Sequence, residues 1–329
     1  MNDNDNAVDA GRRLYYSSSQ GPFYNANNIY MFYGGGNRGN IVERTIRSVK
    51  NGEPVVHVHG EAGSGKTITS LVISDRIKHS FHTMRYDLPA ITAPRLLRHL
   101  LIELVPQSSD TITAEQAQLD ASQSDIEGAI ACIERQLESS CQSKDNKPYI
   151  LIIDSKGSLD ADTLEVIETL TAFKVNDKPV IHCVVFHTAD NNVERYVTAD
   201  GTTAQKADNH FWLRRLTLSE INEYLRHHMM LYDFNRRDLF TREMAYFIAD
   251  RSEGVFKSIN TLSRNAFTIA NLEEADKLSM SHLLMAGLPV VEEPVSRLEF
   301  MARYRRLATV ALMSTCAFAS MGLMLYLVV

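Results

Sequence analysis

The chain has 329 residues, of which 44% are hydrophobic and 22% charged, and this excludes a disordered or peptide-like protein. Its formal net charge of -6 excludes a global basic excess, so nucleic-acid binding would require a local basic patch. The four cysteines have neither CxxC nor metal-ligand spacing, and we expect them to be reduced thiols of a cytosolic domain.

The first 36 residues are rich in Asn, Ser, Gly and Tyr and lack the basic and then apolar order of a signal peptide. They predict an irregular lead-in that packs on the domain that follows, which we expect to stay in the cytoplasm. The next segment, RGNIVERTIRSVKNG, places Ile41, Val42, Ile46 and Val49 at helical spacing before a closing glycine. This pattern predicts a helix of about three turns.

Five short apolar runs then alternate with helical patterns. The runs lie at 55–59, 83–88, 149–154, 180–186 and 210–216. The predicted helices lie at 66–79, 94–105, 125–139 and 159–173. Such alternation predicts an α/β domain with a mostly parallel sheet covered on both faces. The polar stretch 106–124 is interpreted as a surface loop.

From residue 217 the pattern changes to helices alone, which predicts a small all-α domain. These helices are expected at 218–231, 240–251, 255–271 and 279–286. The predicted organisation is a lead-in at 1–36, an α/β domain at 37–216, a helical domain at 217–286, a linker with a basic segment at 287–306 and a final helix at 307–329.

That final segment, LATVALMSTCAFASMGLMLYLVV, carries no charge and would span about 34 Å as a helix. It predicts one transmembrane helix, with a buried core helix as the alternative. Arg297, Arg303, Arg305 and Arg306 precede it and favour the cytoplasmic side for everything upstream. We therefore expect a single-pass protein of a bacterial inner membrane, with a cytoplasmic main domain and no extracytoplasmic domain.

The sequence GEAGSGKT, from Gly60 to Thr67, follows the first strand, precedes a helix and satisfies the phosphate-loop pattern G-x-x-x-x-G-K-[ST]. Its amides at the helix N-terminus can point at phosphate, Lys66 would contact the β- and γ-phosphates, and the Thr67 hydroxyl would ligate Mg²⁺. The predicted cofactors are ATP and Mg²⁺. The predicted nucleotide-binding residues are Gly60, Glu61, Ala62, Gly63, Ser64, Gly65, Lys66, Thr67 and Ile68.

A second element, YILIIDS, is a run of aliphatic residues that delivers Asp154 to the end of a strand. A carboxylate at this position is needed to hold the hydrated magnesium ion in phosphate-loop enzymes. The predicted metal ligands are therefore Thr67 and Asp154.

Five stretches in order carry a family resemblance over roughly residues 20 to 286. They are GEAGSGKT, ILIIDSKGSLDADTLEVIETL, VIHCVVFHTAD, FWLRRLTLSEINEYLRHH and LFTREMAYFIADRSEGVFKSINTLSRNAFTIA. This order resembles the AAA+ ATPases of the ExeA or GspA type from general secretion. The resemblance implies sheet order 5-1-4-3-2, a helical lid, a ring of subunits and a membrane helix that often leads to a periplasmic peptidoglycan-binding part, which is missing here. Related transposition ATPases are soluble, and the predicted membrane helix argues against them.

The resemblance is incomplete where it concerns hydrolysis. The family's glutamate after the strand aspartate is Ser155 here, and the polar sensor after the fourth strand is Thr188. The lid arginine is replaced by Lys257, and the arginine finger before the fifth strand corresponds to Lys206. With Asp154, these are the catalytic candidates. Lysine cannot make the forked contact of arginine, and serine cannot act as the base, so slow hydrolysis is predicted.

Several alternatives stay open at this point. Asp160 or Glu165 could supply the missing base. The protein is either a ring-forming ATPase or nucleotide switch that assists an envelope machine of secretion or pilus type, or an inactive nucleotide-stabilised scaffold, or a DNA-linked ATPase of transposition or defence. The expected partners are further copies of the chain and an unidentified membrane or envelope protein, with nucleic acid not expected. His57 and His59 share one strand face, and we expect packing or surface roles for them rather than metal binding.

Overall fold

A computed structural model describes the protein at residues 22–24, 27–87, 91–104, 126–141, 147–155, 159–188, 209–232, 239–275 and 277–288. The described residues up to Gly287 belong to one compact unit. Three predicted features, Lys206, the loop at 106–124 and the membrane helix at 307–329, lie outside these ranges. Within them, no helix is both long and apolar enough to cross a membrane.

A parallel sheet of five strands lies at the centre of the unit. The strands are β1 (Val55–Gly60), β2 (His82–Tyr86), β3 (Tyr149–Asp154), β4 (Ile181–Thr188) and β5 (His210–Leu213). Their order across the sheet is β2-β3-β4-β1-β5, so the order 5-1-4-3-2 implied by the resemblance is confirmed. Lys174–Val175 and Lys178–Pro179 form a short antiparallel hairpin before β4 that the sequence analysis did not predict.

Helices cover both faces of this sheet. They are α1 (Arg38–Lys50), α2 (Lys66–Ile77), α3 (Ala93–Leu104), α4 (Ile126–Cys141) and α5 (Ala161–Ala172). Apolar residues of α1 and α2 share one buried cluster with Val56, Ile152 and Phe186 of the strands. Residues of α3, α4 and α5 share a second cluster with Ile153 and Val185. Strands buried on both faces explain why they appear in the sequence as continuous apolar runs.

The helical part that follows β5 consists of α6 (Leu218–Leu231), α7 (Arg242–Ser252), α8 (Phe256–Leu272) and α9 (Met280–Ala286). A capping box of Thr217 and Glu220 starts α6 directly after the last strand. Glu253 and Gly254, both at positive φ, end α7 and reverse the chain into α8. The N–H of Leu216 donates to the carbonyl of Gly254 at 2.9 Å, which ties this reversal to the end of the sheet.

The lead-in preceding α1 is irregular where it is described, apart from one 3-10 turn at Ile29–Met31. Phe23 is buried and stacks on the ring of His228 in α6, with ring centres 4.9 Å apart. Tyr33 packs on Tyr224 of the same helix. The lead-in thus contacts the helical part and places its aromatic side chains beside the phosphate loop.

Candidate nucleotide-binding site

The phosphate loop connects β1 to α2, so its last residues begin a helix whose free N–H groups favour an anion. Gly63 and Gly65 both have positive φ, at 80° and 95°, which side chains on L-residues disfavour. A Cβ atom on Gly63 would also lie 2.6 Å from Cβ of Lys257, so glycine is required there by space as well as by conformation. These two glycines let the lid approach the loop backbone closely.

Lys66 is 8% exposed and turns back onto its own loop. Its Nζ donates to the carbonyl oxygens of Gly60 and Glu61, both at 2.8 Å. Burial lowers the pKa of the ammonium group, and the nearby carboxylates of Asp154 and Glu61 oppose this shift. A cation held by two neutral carbonyls can exchange them for a phosphate oxygen, which is a stronger partner.

Asp154 ends β3 and is 3% exposed. The hydroxyl of Ser70 in α2 donates to its Oδ2 at 3.4 Å, and Arg85 in β2 forms an ion pair with the same oxygen at 3.6 Å. Thr67 lies on the same cavity as Asp154. A carboxylate and a hydroxyl are oxygen ligands of the kind that Mg²⁺ prefers, so these residues fit the predicted ion.

A cavity of about 580 Å³ joins these residues to the lead-in and the helical part. Its volume lies within the range of small-molecule sites. From the predicted set it is lined by Ala62, Gly63, Gly65, Lys66, Thr67 and Ile68 and also by Asp154, Ser155, Thr188 and Lys257. Gly60, Glu61 and Ser64 do not line it, and Lys206 lies outside the described residues.

The opposite wall of the cavity is aromatic and amide-rich. It is formed by Phe23, Tyr24, Phe32 and Tyr33 of the lead-in and by Tyr224, Phe256 and Asn260 of the lid. Tyr224 donates its hydroxyl to Oδ1 of Asn260 at 2.6 Å. Flat apolar rings and a few placed polar groups suit a heterocyclic base, while the loop suits phosphates.

The neighbourhood of Asp154 contains no second carboxylate among the described residues of the cavity wall. Ser155 is 1% exposed, and Thr188 lies at the end of β4. Asp160 caps α5 by accepting the N–H of Thr163 at 2.8 Å, and Glu165 is exposed on that helix. Neither of these alternative bases lines the cavity, so the geometry does not favour them.

The lid is attached to the loop in two ways. The backbone N–H of Lys257 donates to the carbonyl of Gly63 at 3.1 Å. Arg215, at the junction between β5 and the lid, binds both carboxylate oxygens of Glu61 at 2.9 and 3.0 Å and also the carboxylate of Glu253 at 2.5 Å. The loop residue Glu61 therefore links to the turn that precedes α8.

Two arginines near this cavity were missed by the sequence analysis. Arg38, the first residue of α1, is 2% exposed and contacts the loop, and Arg85 reaches Asp154 from β2. Helical periodicity starts at Ile41 and gives no sign that Arg38 is buried. Arg85 interrupts an otherwise apolar strand, TMRYDL, and that interruption was a signal that could have marked it.

His57 and His59 do share one face of β1, as strand alternation predicts. Nδ1 of His57 lies 2.9 Å from Nε2 of His187, and Nε2 of His59 lies 3.0 Å from Nδ1 of His210. Burial, assisted by the neighbouring imidazoles, lowers the pKa of His57 to about 3, of His59 to about 2 and of His187 to about 4. In the described part of the chain, no group of three or more ligands is arranged to hold a metal ion.

No protein-family model matches the chain, and no curated protein matches it either. Two solved structures resemble its fold. A structure of Drosophila ORC bound to DNA has a TM-score of 0.54 at 13% identity, and the match covers 92% of this chain and 81% of that one. The Aeropyrum pernix ORC1 protein in complex with DNA has a TM-score of 0.53 at 14% identity, and the match covers 88% of this chain and 82% of that one.

The chain has an α/β AAA+ fold. The five-stranded parallel sheet, its order and the loop between β1 and α2 agree with this assignment. Identity this low shows the fold alone. The general-secretion type within the AAA+ proteins therefore stays a prediction.

Proposed function

We propose that this AAA+ protein binds ATP with Mg²⁺ in the cavity between the loop, β3 and the lid. The observation that carries the proposal is that Lys66, Thr67, Asp154 and the lid residue Lys257 all line one cavity. Lys66 and the loop amides would hold the phosphates, Thr67 and Asp154 would hold Mg²⁺, and Lys257 would bring positive charge from the lid.

Within this proposal, the nucleotide acts as an assembly switch, and hydrolysis is slow. Phosphoryl transfer depends on an oriented water and on fixed charges around the phosphate. Ser155 offers a hydroxyl where a carboxylate would orient water, and Lys257 offers a point charge where arginine would make two bonds. The charge that Lys206 would supply from a neighbouring subunit belongs to this proposal too.

The proposed setting is a homo-oligomeric ring at a bacterial inner membrane, tethered through 307–329 and assisting an envelope machine of secretion or pilus type. Support comes from the uncharged C-terminal segment and from the resemblance of the motifs. Extraction of membranes with alkaline carbonate provides a test, because a spanning helix keeps the chain in the pellet. Release of the full-length chain into the supernatant would contradict the tether.

A DNA-linked function is the second candidate, because the two structural neighbours are both described in complexes with DNA. Phosphate contacts make such binding strongly dependent on salt. Titration of duplex DNA at low and high salt separates the candidates, and tight binding that weakens steeply with salt would favour the DNA-linked function.

The central experiment is calorimetric titration of the full-length chain with Mg·ATP, beside the variant Lys66→Ala. Loss of the buried ammonium group is expected to abolish measurable binding. Lys78→Ala is the matched control, because Lys78 follows the same helix, is exposed and pairs with Asp75 at 2.5 Å away from the cavity. Unchanged binding by Lys66→Ala would reject the site, and phosphate release at several turnovers per second would reject slow hydrolysis.

A further inference from the structure

Arg38 is a buried cation that forms no ion pair with a carboxylate among the described residues. Its Nη1 donates to the carbonyl of Gly36, and its Nη2 donates to the carbonyl of Ser64 at 3.0 Å. Its Cζ lies 4.4 Å from the ring centre of Phe256, and its Nε is buried without a partner in the described structure. Burial, with the charge of Arg214 adding, lowers the pKa of the guanidinium to about 10.

The bond from Arg38 to Ser64 fixes one peptide plane of the phosphate loop. In a trans peptide the C=O of one residue and the N–H of the next point in opposite directions. Because the Ser64 carbonyl is held toward Arg38, the N–H of Gly65 points away from Arg38. Gly65 lines the cavity, and its N–H donates to no acceptor in the described part of the chain.

The orientation of this peptide is otherwise free to change. Gly65 has φ of 95°, and glycine adopts both signs of φ readily. Without Arg38, rotation of the Ser64–Gly65 peptide would turn a carbonyl oxygen toward the anion position in place of an N–H donor. A donor fixed before the ligand arrives requires no reorganisation when the charge enters.

The same guanidinium contacts the lid. Phe256 is the first residue of α8 and directly precedes Lys257, whose N–H donates to the carbonyl of Gly63. Arg38 therefore touches the loop at Ser64 and the lid at Phe256 at once. Separation of the lid from the loop would remove the ring from the guanidinium, so the peptide orientation and the lid position are coupled through one side chain.

We propose that Arg38 is a positioning residue that aims the Gly65 N–H at the nucleotide phosphates and couples that peptide to the lid through Phe256. The proposal rests on the nucleotide site proposed above. Anionic phosphates close to the site also stabilise a buried cation that has no carboxylate partner, and this adds to the binding free energy.

The test measures the Kd of Mg·ATP for the full-length chain and its variants by calorimetry, well below the unfolding temperature of each. Arg38→Met removes both donors and the charge, and we expect its Kd to rise about 10- to 100-fold, as for loss of a charged hydrogen bond. Arg38→Lys keeps the charge and one donor and is expected to recover part of the affinity. A role confined to stability would move the melting temperature and leave Kd unchanged.

Phe256→Leu tests the coupling to the lid and remains informative if Arg38→Met does not fold. It is expected to raise Kd several-fold, and the double variant should lose less than the two single losses combined, because both act through one guanidinium. Arg44→Met is the matched control, since Arg44 lies on the same helix over the ring of Phe211 at 4.5 Å and does not line the cavity.

The outcomes are distinguishable. If the wild-type chain does not bind Mg·ATP, the proposed function fails and this inference fails with it. If the wild type binds and Arg38→Met binds equally well, Arg38 has no positioning role and the nucleotide site stands. If Arg38→Met cannot be prepared, unchanged affinity in both Arg38→Lys and Phe256→Leu overturns the proposal.

Discussion

The guanidinium of Arg85 lies 3.6 Å from the carboxylate of Asp154, measured from Nη2 to Oδ2. Its Nε donates to the hydroxyl of Ser70 at 3.3 Å, and that hydroxyl reaches the same carboxylate oxygen. The predicted magnesium ligand is therefore held from β2 by a positive charge and from α2 by a hydroxyl. A cation this close to Asp154 lowers the negative potential available to a metal ion.

We expect Arg85→Met to bind Mg²⁺ more tightly in the presence of nucleotide. Removal of the competing charge should lower the Mg²⁺ concentration for half-maximal ATP binding by about 3- to 10-fold, the scale of a partly exposed ion pair. The measurement is a magnesium titration at fixed ATP, followed with a fluorescent nucleotide. Arg76→Met controls for loss of a surface arginine, because Arg76 pairs with Glu43 on exposed helix surface. A higher magnesium requirement in Arg85→Met would contradict the competition.

Ser155→Glu is expected to accelerate ATP hydrolysis. Ser155 directly follows Asp154, lines the cavity and would place a carboxylate beside the metal site. General-base catalysis contributes about 10²-fold or more, so kcat should rise by about that factor if the missing base limits turnover.

Ser155→Gln is the control for this substitution, because glutamine has the same shape and no basic carboxylate. Steady-state phosphate release gives kcat for the wild type and both variants. Equal turnover of the glutamate and glutamine variants would show that slow hydrolysis has another cause.

Much of the fold could be predicted because its elements are bounded by local signals. The prediction of α6 at 218–231 is confirmed to the residue, since Thr217 and Glu220 form the capping box that begins it. The fifth strand was predicted to end at Leu216 and ends at Leu213. The two arginines that follow Leu213 bind carboxylates of Glu220 and Glu61, so long-range ion pairs end a strand that hydrophobicity alone would extend.

The candidate site was predictable only where one segment supplies it. The loop around Lys66 and the strand end at Asp154 carry their own patterns. The aromatic wall is different, because Phe23 and Phe256 meet only after the chain has folded, and neither has a local signature. The unpredicted hairpin is an intermediate case, since Asn176 and Asp177 both adopt positive φ and favour such a turn.

Gly63→Ala is expected to loosen the lid. Its Cβ would lie 2.6 Å from Cβ of Lys257, so the bond from the Lys257 N–H to the Gly63 carbonyl should lengthen or break. Faster hydrogen exchange at the Lys257 amide, measured by mass spectrometry, would report this opening, and the Kd of Mg·ATP should rise about 10-fold or more.

Gly52→Ala controls for backbone strain. Gly52 also has positive φ, at 96°, but its added Cβ would meet nothing within 4 Å. Both variants should therefore lose about 1 kcal/mol of stability from the left-handed conformation. Equal exchange at Lys257 in the two variants would show that the lid does not depend on the close approach at Gly63.

The stack of histidines on β1, β4 and β5 predicts a loss of stability in acid. Burial lowers the pKa of His57, His59, His187 and His210 below the value of 6.5 expected when the chain is unfolded. The unfolded chain therefore binds more protons than the folded chain once the pH falls below about 6.5. The contribution of the neutral imidazoles is complete above this pH and is lost progressively as the pH falls toward about 3, the pKa of His57.

Urea unfolding at pH 7.5, 6.5, 5.5 and 4.5 measures this effect, and the slope should approach about 1.4 kcal/mol per pH unit for each histidine that protonates only on unfolding. His57→Gln removes one such group, so its free energy of unfolding should depend less steeply on pH between about 6.5 and 4 than that of the wild type. His79→Gln removes an imidazole from the exposed end of the helix that follows the loop and controls for surface effects. Parallel pH profiles for the wild type and His57→Gln would mean that His57 is protonated as readily in the folded chain as in the unfolded one, and the stack would then not be the source of acid sensitivity.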